Sequence, residues 1–207
     1  MGLRRAWVFG VGVVVFGALM MAGCGSSSSS SSGPTATPLP GTLIDPPKVV
    51  SDFTLTSDAN QPFHLSDLRG QVAVLFFGYT HCPDVCPTTM ADFKRVKADL
   101  GDDAAQVAFV FISVDGARDT PDRLAAYVHA FDPDFIGLMG DDATIRAVTQ
   151  DYGVFFQRVN YDNPDNYLVD HTATSFAVGP EGKLRAVFSY QADPAGMAQR
   201  LRSLLEK

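Results

Sequence analysis

Two apolar runs constrain this chain more than any other feature: residues 72–79 (VAVLFFGY) and 107–114 (VAFVFISV). Both are rich in β-branched and aromatic residues and neither alternates strictly, which is the pattern of strands covered on both faces. A helical pattern follows each run. In CPTTMADFKRVKADL, Met90, Phe93, Val96, Lys97 and Leu100 are spaced for one helix face. In TPDRLAAYVHAFD, Thr120 and Pro121 read as the N-cap and first helical position. Helical crossovers of this length are what two parallel strands require.

The remaining pattern completes a layout. A third helix is predicted over residues 141–151, after the short apolar stretch FIGLMG. Residues 154–159 and 167–169 are placed to pair across NYDNPDN. Residues 175–178 and 184–190 flank Gly179-Pro180-Glu181-Gly182, a hairpin signal. Residues 193–205 close the chain as a helix. Upstream, residues 49–55 and 63–65 around DANQ predict an added N-terminal β-hairpin. This order is that of an α/β thioredoxin-like fold, a central mixed sheet flanked by helices. There is no internal repeat and no Gly-rich phosphate loop.

The N-terminus has a different character. Arg4 and Arg5 precede an acid-free apolar run over residues 6–21 and then small residues, the order of a secretory signal. The run falls short of the roughly 20 residues that cross a bilayer comfortably. Met21-Ala22-Gly23-Cys24 resembles a bacterial lipobox, with Met21 where Leu is usual. The expectation is a signal peptide over residues 1–23 and a mature protein beginning at lipid-modified Cys24, anchored to the cell membrane with its domain outside the cytoplasm. Seven serines (Ser26 to Ser32) and GPTATPLPGTLIDPP follow, a flexible and then stiffer spacer. Residues 24–47 are read as this linker and residues 48–207 as one domain. Loss of Arg4 and Arg5 leaves 14 of 16 basic residues against 23 acidic ones, a net charge near −9. Such a surface excludes nucleic acid and anionic lipid as natural partners.

With Cys24 taken by lipid, the domain keeps Cys82 and Cys86. In an oxidising compartment a close pair is a structural disulfide, a redox couple or a metal site. A staple closing so short a loop gains little, which favours chemistry. The pair sits where the first strand hands over to a helix, and a helix N-terminus lowers a thiol's pKa. Thiolate is both nucleophile and ligand, so location alone suits either role. Three residues separate the cysteines, against two in thioredoxin redox pairs. In a helical turn the i and i+4 sulfurs share one face, close enough to hold one ion; a looped opening still permits a disulfide. Two thiolates favour Cu(I) or zinc, with further ligands.

Four histidines are available as further ligands. His129 lies in an ordinary helix and His64 in the N-terminal hairpin. His81 adjoins Cys82, but neighbours on an extended chain point opposite ways. His171 lies in Asp170-His171-Thr172, just before the strand at 175–178, and in a thioredoxin-like layout this loop faces the cysteine-bearing turn. Thioredoxins place a cis proline there; no proline occurs between Asp165 and Gly179.

The segment from Gly78 to Pro87, GYTHCPDVCP, resembles the signature of the Sco/SenC family, accessory proteins of cytochrome c oxidase assembly. Ser113-Val114-Asp115 with Arg118-Asp119-Thr120-Pro121, and Val169-Asp170-His171-Thr172, agree in order and spacing. The likeness runs from Phe53 to the last helix. It departs at Gly116-Ala117, where the family more often has Pro-Glu. The resemblance implies copper, as Cu(I) or Cu(II), held by Cys82, Cys86 and His171. It also implies a role in building the dinuclear copper centre of the oxidase. The implied partners are the copper-bearing oxidase subunit and other copper chaperones or thiol reductants. Two mechanisms fit: delivery of copper by ligand exchange, or reduction of the target's disulfide by Cys82 and Cys86. Asp84 is expected to cap the helix, Pro83 and Pro87 to shape its start, and Asp170 to orient His171 or meet a partner. Asp115 and Asp119 are expected to fix loops.

Overall fold

The apolar runs at 72–79 and 107–114 form adjacent parallel strands in the computed structural model, which describes residues 39–159 and 166–206. In chain order the elements are β1 (Thr42–Val49), β2 (Thr54–Ser57), β3 (Pro62–His64), β4 (Val72–Gly78), α1 (Val85–Leu100), β5 (Val107–Ser113) and α2 (Pro121–His129). Then come β6 (Ile136–Met139), α3 (Asp142–Tyr152), β7 (Phe156–Val159), β8 (Leu168–His171), β9 (Ser175–Val178), β10 (Lys183–Phe188) and α4 (Pro194–Leu205). Eight strands make one sheet in the order β1-β10-β9-β4-β5-β6-β2-β3, while β7 and β8 form a separate antiparallel ribbon.

The sheet is mixed: β4, β5 and β6 run parallel, and β9 lies antiparallel to β4. Every residue of β4 and β5 is buried, which explains why their sequences do not alternate. Successive side chains still point to opposite faces. Phe76 packs edge-on against Phe93 of α1, whereas Phe77 meets Tyr152 of α3 and Phe176 of β9. One helix therefore covers each face of the central strand. Full burial of such a ring contributes about 2–3 kcal/mol.

The helix starts follow local chemistry. Thr120 accepts from the Arg123 N–H ahead of Pro121, Asp141 from the Thr144 N–H, and Asp193 from the Gly196 N–H ahead of Pro194. The predicted hairpin at the N-terminal side is β2–β3, and β2 also pairs with β6, which binds it into the main sheet.

Two readings need correction. Residues 42–47, read as spacer, belong to β1, which pairs antiparallel with β10. TLIDPPKV hides this because two of its residues are prolines. Pro46 and Pro47 fall where the β1–β10 register shifts, between Leu43 and Lys48, on an edge strand that needs no N–H from them. His171, read as a loop residue, is the last residue of β8 and sits opposite Phe156. The expectations for the signal segment and for Cys24 fall outside the described residues. Among the described residues no helix is long and apolar enough to cross a membrane.

Candidate metal centre

Strand β4 delivers the chain to a short turn, residues 79–84, before α1 begins at Val85. Cys82 lies in this turn and Cys86 is the second residue of the helix. Asp84 occupies the N-cap position, yet its side chain makes no capping bond, contrary to expectation. The Cys86 N–H instead points to the Cys82 sulfur at 3.5 Å. The sulfur thus takes the place a capping oxygen usually fills, at the positive end of the helix dipole.

Cys86 is fully buried, while Cys82 and His171 are half-buried. His171 Nε2 lies 3.4 Å from Cys86 Sγ, although 85 residues separate them in the chain. The two sulfurs and one imidazole nitrogen all fall within 4.8 Å of one another. An ion bonded to sulfur at about 2.3 Å and to nitrogen at about 2.0 Å bridges donors separated by up to roughly 4.5 Å. A contraction of a few tenths of an ångström suffices, so the three residues fit a soft metal ion. The half-buried Cys82 and His171 leave one side open to an incoming partner.

The electrostatics divide the cysteines. The Cys86 thiol donates to Cys82 and the backbone N–H groups of Asp84 and Cys86 add further bonds, so the Cys82 thiol is pulled down to about 3. Burial pushes Cys86 strongly upward, and its role as donor to the Cys82 thiolate adds to this. The pair therefore holds one proton, on the inner sulfur. Both thiols are free.

The imidazole is fixed by its surroundings. Its Nδ1 lies 3.1 Å from the Thr172 carbonyl, which leaves Nε2 with its lone pair toward the sulfurs. Phe76 and Tyr79 stand edge-on to the ring at 5.8 and 5.9 Å. The orienting contact comes from Thr172, while Asp170 is exposed beside it on β8.

The other histidines stand apart from the cluster. His64 bonds Thr54, and His129 faces Asp58. His81 turns toward Asp119 and the Arg123 side chain. Asp115 and Asp119 fix loops, as expected. Asp119 is buried and accepts from Ser113 Oγ at 2.6 Å and from both the N–H and hydroxyl of Thr80. It thereby ties the loop after β5 to the turn that carries Cys82. At the departure from the family pattern, a Cβ on Gly116 would lie 2.5 Å from the Gly140 carbonyl oxygen, so this chain has no room for a side chain there.

One residue of the site escaped the sequence reading. A Cβ on Gly78 would lie 2.7 Å from Cys86 Sγ and 2.9 Å from the Phe111 ring. Gly78 keeps the backbone open where the inner sulfur rests. A glycine ending a fully apolar strand beside the cysteines was the available signal, since glycine in a strand often marks close approach.

The SCO1/SenC family model matches residues 42–206. An SCO2-like protein of Rickettsia felis is 34% identical over 156 residues, covering 75% of this chain and 76% of that protein. The copper-bound structure of Bradyrhizobium japonicum ScoI superposes with a TM-score of 0.69 at 36% identity, over 75% of this chain and 99% of that one. Apo Sco1 from Thermus thermophilus gives 0.73 at 40% identity, over 83% and 99%. The family match spans the sheet from β1 onward and takes in both cysteines and the histidine that the fold brings together: the chain belongs to the SCO1/SenC family.

Proposed function

We propose that this protein binds copper through Cys82, Cys86 and His171 and acts in the assembly of cytochrome c oxidase, passing copper to the copper-bearing subunit. The observation that carries the reading is the convergence of two sulfurs and one imidazole nitrogen within 4.8 Å, from a helix start and a ribbon distant in sequence. Two thiolates and an imidazole are a donor set suited to copper. The chain's own residues supply the rest of the mechanism. Thr172 holds the imidazole tautomer, Gly78 leaves room for the inner sulfur, and the half-buried Cys82 and His171 are the groups an acceptor reaches first. Transfer then proceeds by replacement of these donors, one at a time, by cysteines of the acceptor.

The contrast between a thiolate at Cys82 and a thiol at Cys86 favours a second reading. Cys82 attacks one sulfur of a disulfide in the oxidase subunit and forms a mixed disulfide, releasing one target thiolate. Cys86 loses its proton and attacks the Cys82 sulfur, which frees the second target thiol. The target is reduced by two electrons, and Cys82 and Cys86 end as a disulfide. Only copper binding requires the imidazole. We also propose that the domain is held outside the cytoplasm by lipid on Cys24, which a mass spectrum of the mature chain tests directly.

The discriminating experiment mixes the copper-loaded chain, or the reduced metal-free chain, with the soluble domain of the oxidase subunit. Copper arriving in a pre-reduced acceptor, lost in His171→Ala, supports delivery. Reduction of an oxidised acceptor by the metal-free chain, retained in His171→Ala, supports the reductase and overturns delivery as the main role if no copper moves.

A further inference from the structure

The position of His171 poses a mechanical problem. Its ribbon, β7–β8, shares no strand pairing with the eight-stranded sheet that carries the cysteines. Residues 172–174 tether its end to β9 of that sheet, and side chains set the rest of its placement relative to the sulfurs. Tyr167, four residues before His171, makes that connection. It is buried, and its hydroxyl donates to Asp115 Oδ1. Its carbonyl accepts from Arg118 Nη1 at 2.9 Å, and the Arg118 guanidinium lies 3.5 Å from the centre of its ring. Arg118 Nε in turn holds the other Asp115 oxygen at 2.6 Å.

The clasp grips both strands of the ribbon and reaches the cysteine side. Arg158 of β7 approaches Asp115 Oδ1 at 3.9 Å. Arg118 also lies 5.8 Å from the ring of Tyr79, which stands edge-on to His171. Within the same loop, Asp119 holds Thr80, two residues before Cys82. A single loop after β5 thus references both halves of the site. We propose that Asp115, Arg118 and Tyr167 are positioning residues that hold the His171 ribbon against the cysteine turn and thereby govern retention of copper in its oxidised form.

The selectivity follows from ligand chemistry, and the inference rests on the copper reading of the site. Cu(I) is soft and is well served by the two thiolates, whereas Cu(II) depends more on a nitrogen donor. Slack in the ribbon removes the imidazole from its place and leaves the sulfurs where α1 puts them. Loss of a group that orients a ligand typically weakens metal binding about 10–100-fold.

The test uses the full chain with Tyr167→Phe, which keeps the ring and removes only the hydroxyl. Tyr152→Phe is the control, because the Tyr152 hydroxyl is buried without a hydrogen-bond partner and its ring packs on Phe77 and Phe176, whereas Phe76 is the residue that meets His171. Cu(II) and Cu(I) salts are added to separate samples and titrated against competing chelators. The Cu(II) absorption arising from thiolate coordination is recorded immediately after mixing. The expected result for Tyr167→Phe is about a 10-fold loss of Cu(II) retention with a shifted band and Cu(I) retention within about 3-fold of the parent; Tyr152→Phe matches the parent. Equal weakening of both oxidation states, or no weakening of either, overturns the proposal. A parent chain that holds copper in neither state overturns the copper reading itself.

Discussion

Substituting Gly78 by alanine tests the geometry of the site with a single methyl group. The new Cβ would lie 2.7 Å from Cys86 Sγ, 2.9 Å from a Phe111 ring carbon and 3.0 Å from a Phe76 ring carbon. Comfortable contacts between such atoms begin near about 3.5 Å, so the sulfur must retreat by roughly 0.8 Å or the rings must shift. The rings are fully buried in the central sheet, so the displacement falls largely on the start of α1. Metal–ligand distances tolerate about 0.2 Å, and a retreat four times larger disrupts the donor set. Overpacking of this kind costs about 1–3 kcal/mol, and in a domain of this size each kcal/mol lowers the melting temperature by about 2–4 °C. Gly78→Ala should therefore melt about 2–12 °C lower and lose copper to a competitor that the parent resists. Calorimetry and a chelator titration read the two effects. A variant that melts with the parent and holds copper as firmly would refute the packing argument.

Other outcomes follow from the same structure. With its thiol drawn down from 9.0 to about 3, Cys82 should react with iodoacetamide at pH 5 while the buried Cys86 does not, and peptide mapping should find one label; comparable labelling of both would contradict the asymmetry. The depressed Cys82 value means that its ionisation favours the folded state fully above pH 9 and progressively less as pH falls toward 3, so a Cys82→Ser chain should show a flatter stability profile across that window. With the Cys82 thiol drawn down to about 3, loading Cu(I) at pH 7 should release about one proton, from Cys86, as a pH-indicator titration in weak buffer would report. Asp119→Ala strands the buried Ser113 hydroxyl and removes the partner of the half-buried Thr80 N–H and hydroxyl. It should cost about 3 kcal/mol and melt about 6–12 °C lower, and a drop under 2 °C would show that water replaces the carboxylate.

Much of this architecture is legible in the sequence because it follows from local chemistry. Uniform burial of β4 and β5 shows as unbroken apolar runs, and the starts of α2, α3 and α4 carry capping Thr or Asp residues. The two cysteines and His171 are marked by motif resemblance. What the sequence concealed depends on long-range approach. Strand β1 exists because β10 offers an edge, against the local advice of Pro46 and Pro47. The start of α1 is capped by a sulfur rather than by Asp84, since Cys82 is folded back over the helix end. Gly78 matters because of an atom eight residues later, and Tyr167 because of a carboxylate 52 residues earlier. Neither relation leaves a periodic trace.

The most direct test of the central claim is the copper content of the full chain, reduced and loaded without oxygen, beside Cys82→Ser, Cys86→Ser and His171→Ala variants. One copper per parent chain that survives a mild competitor is expected, with loss of copper in either cysteine variant and clearly weaker retention in His171→Ala. A parent without copper, or a His171→Ala chain that holds copper as tightly as the parent, would contradict that claim.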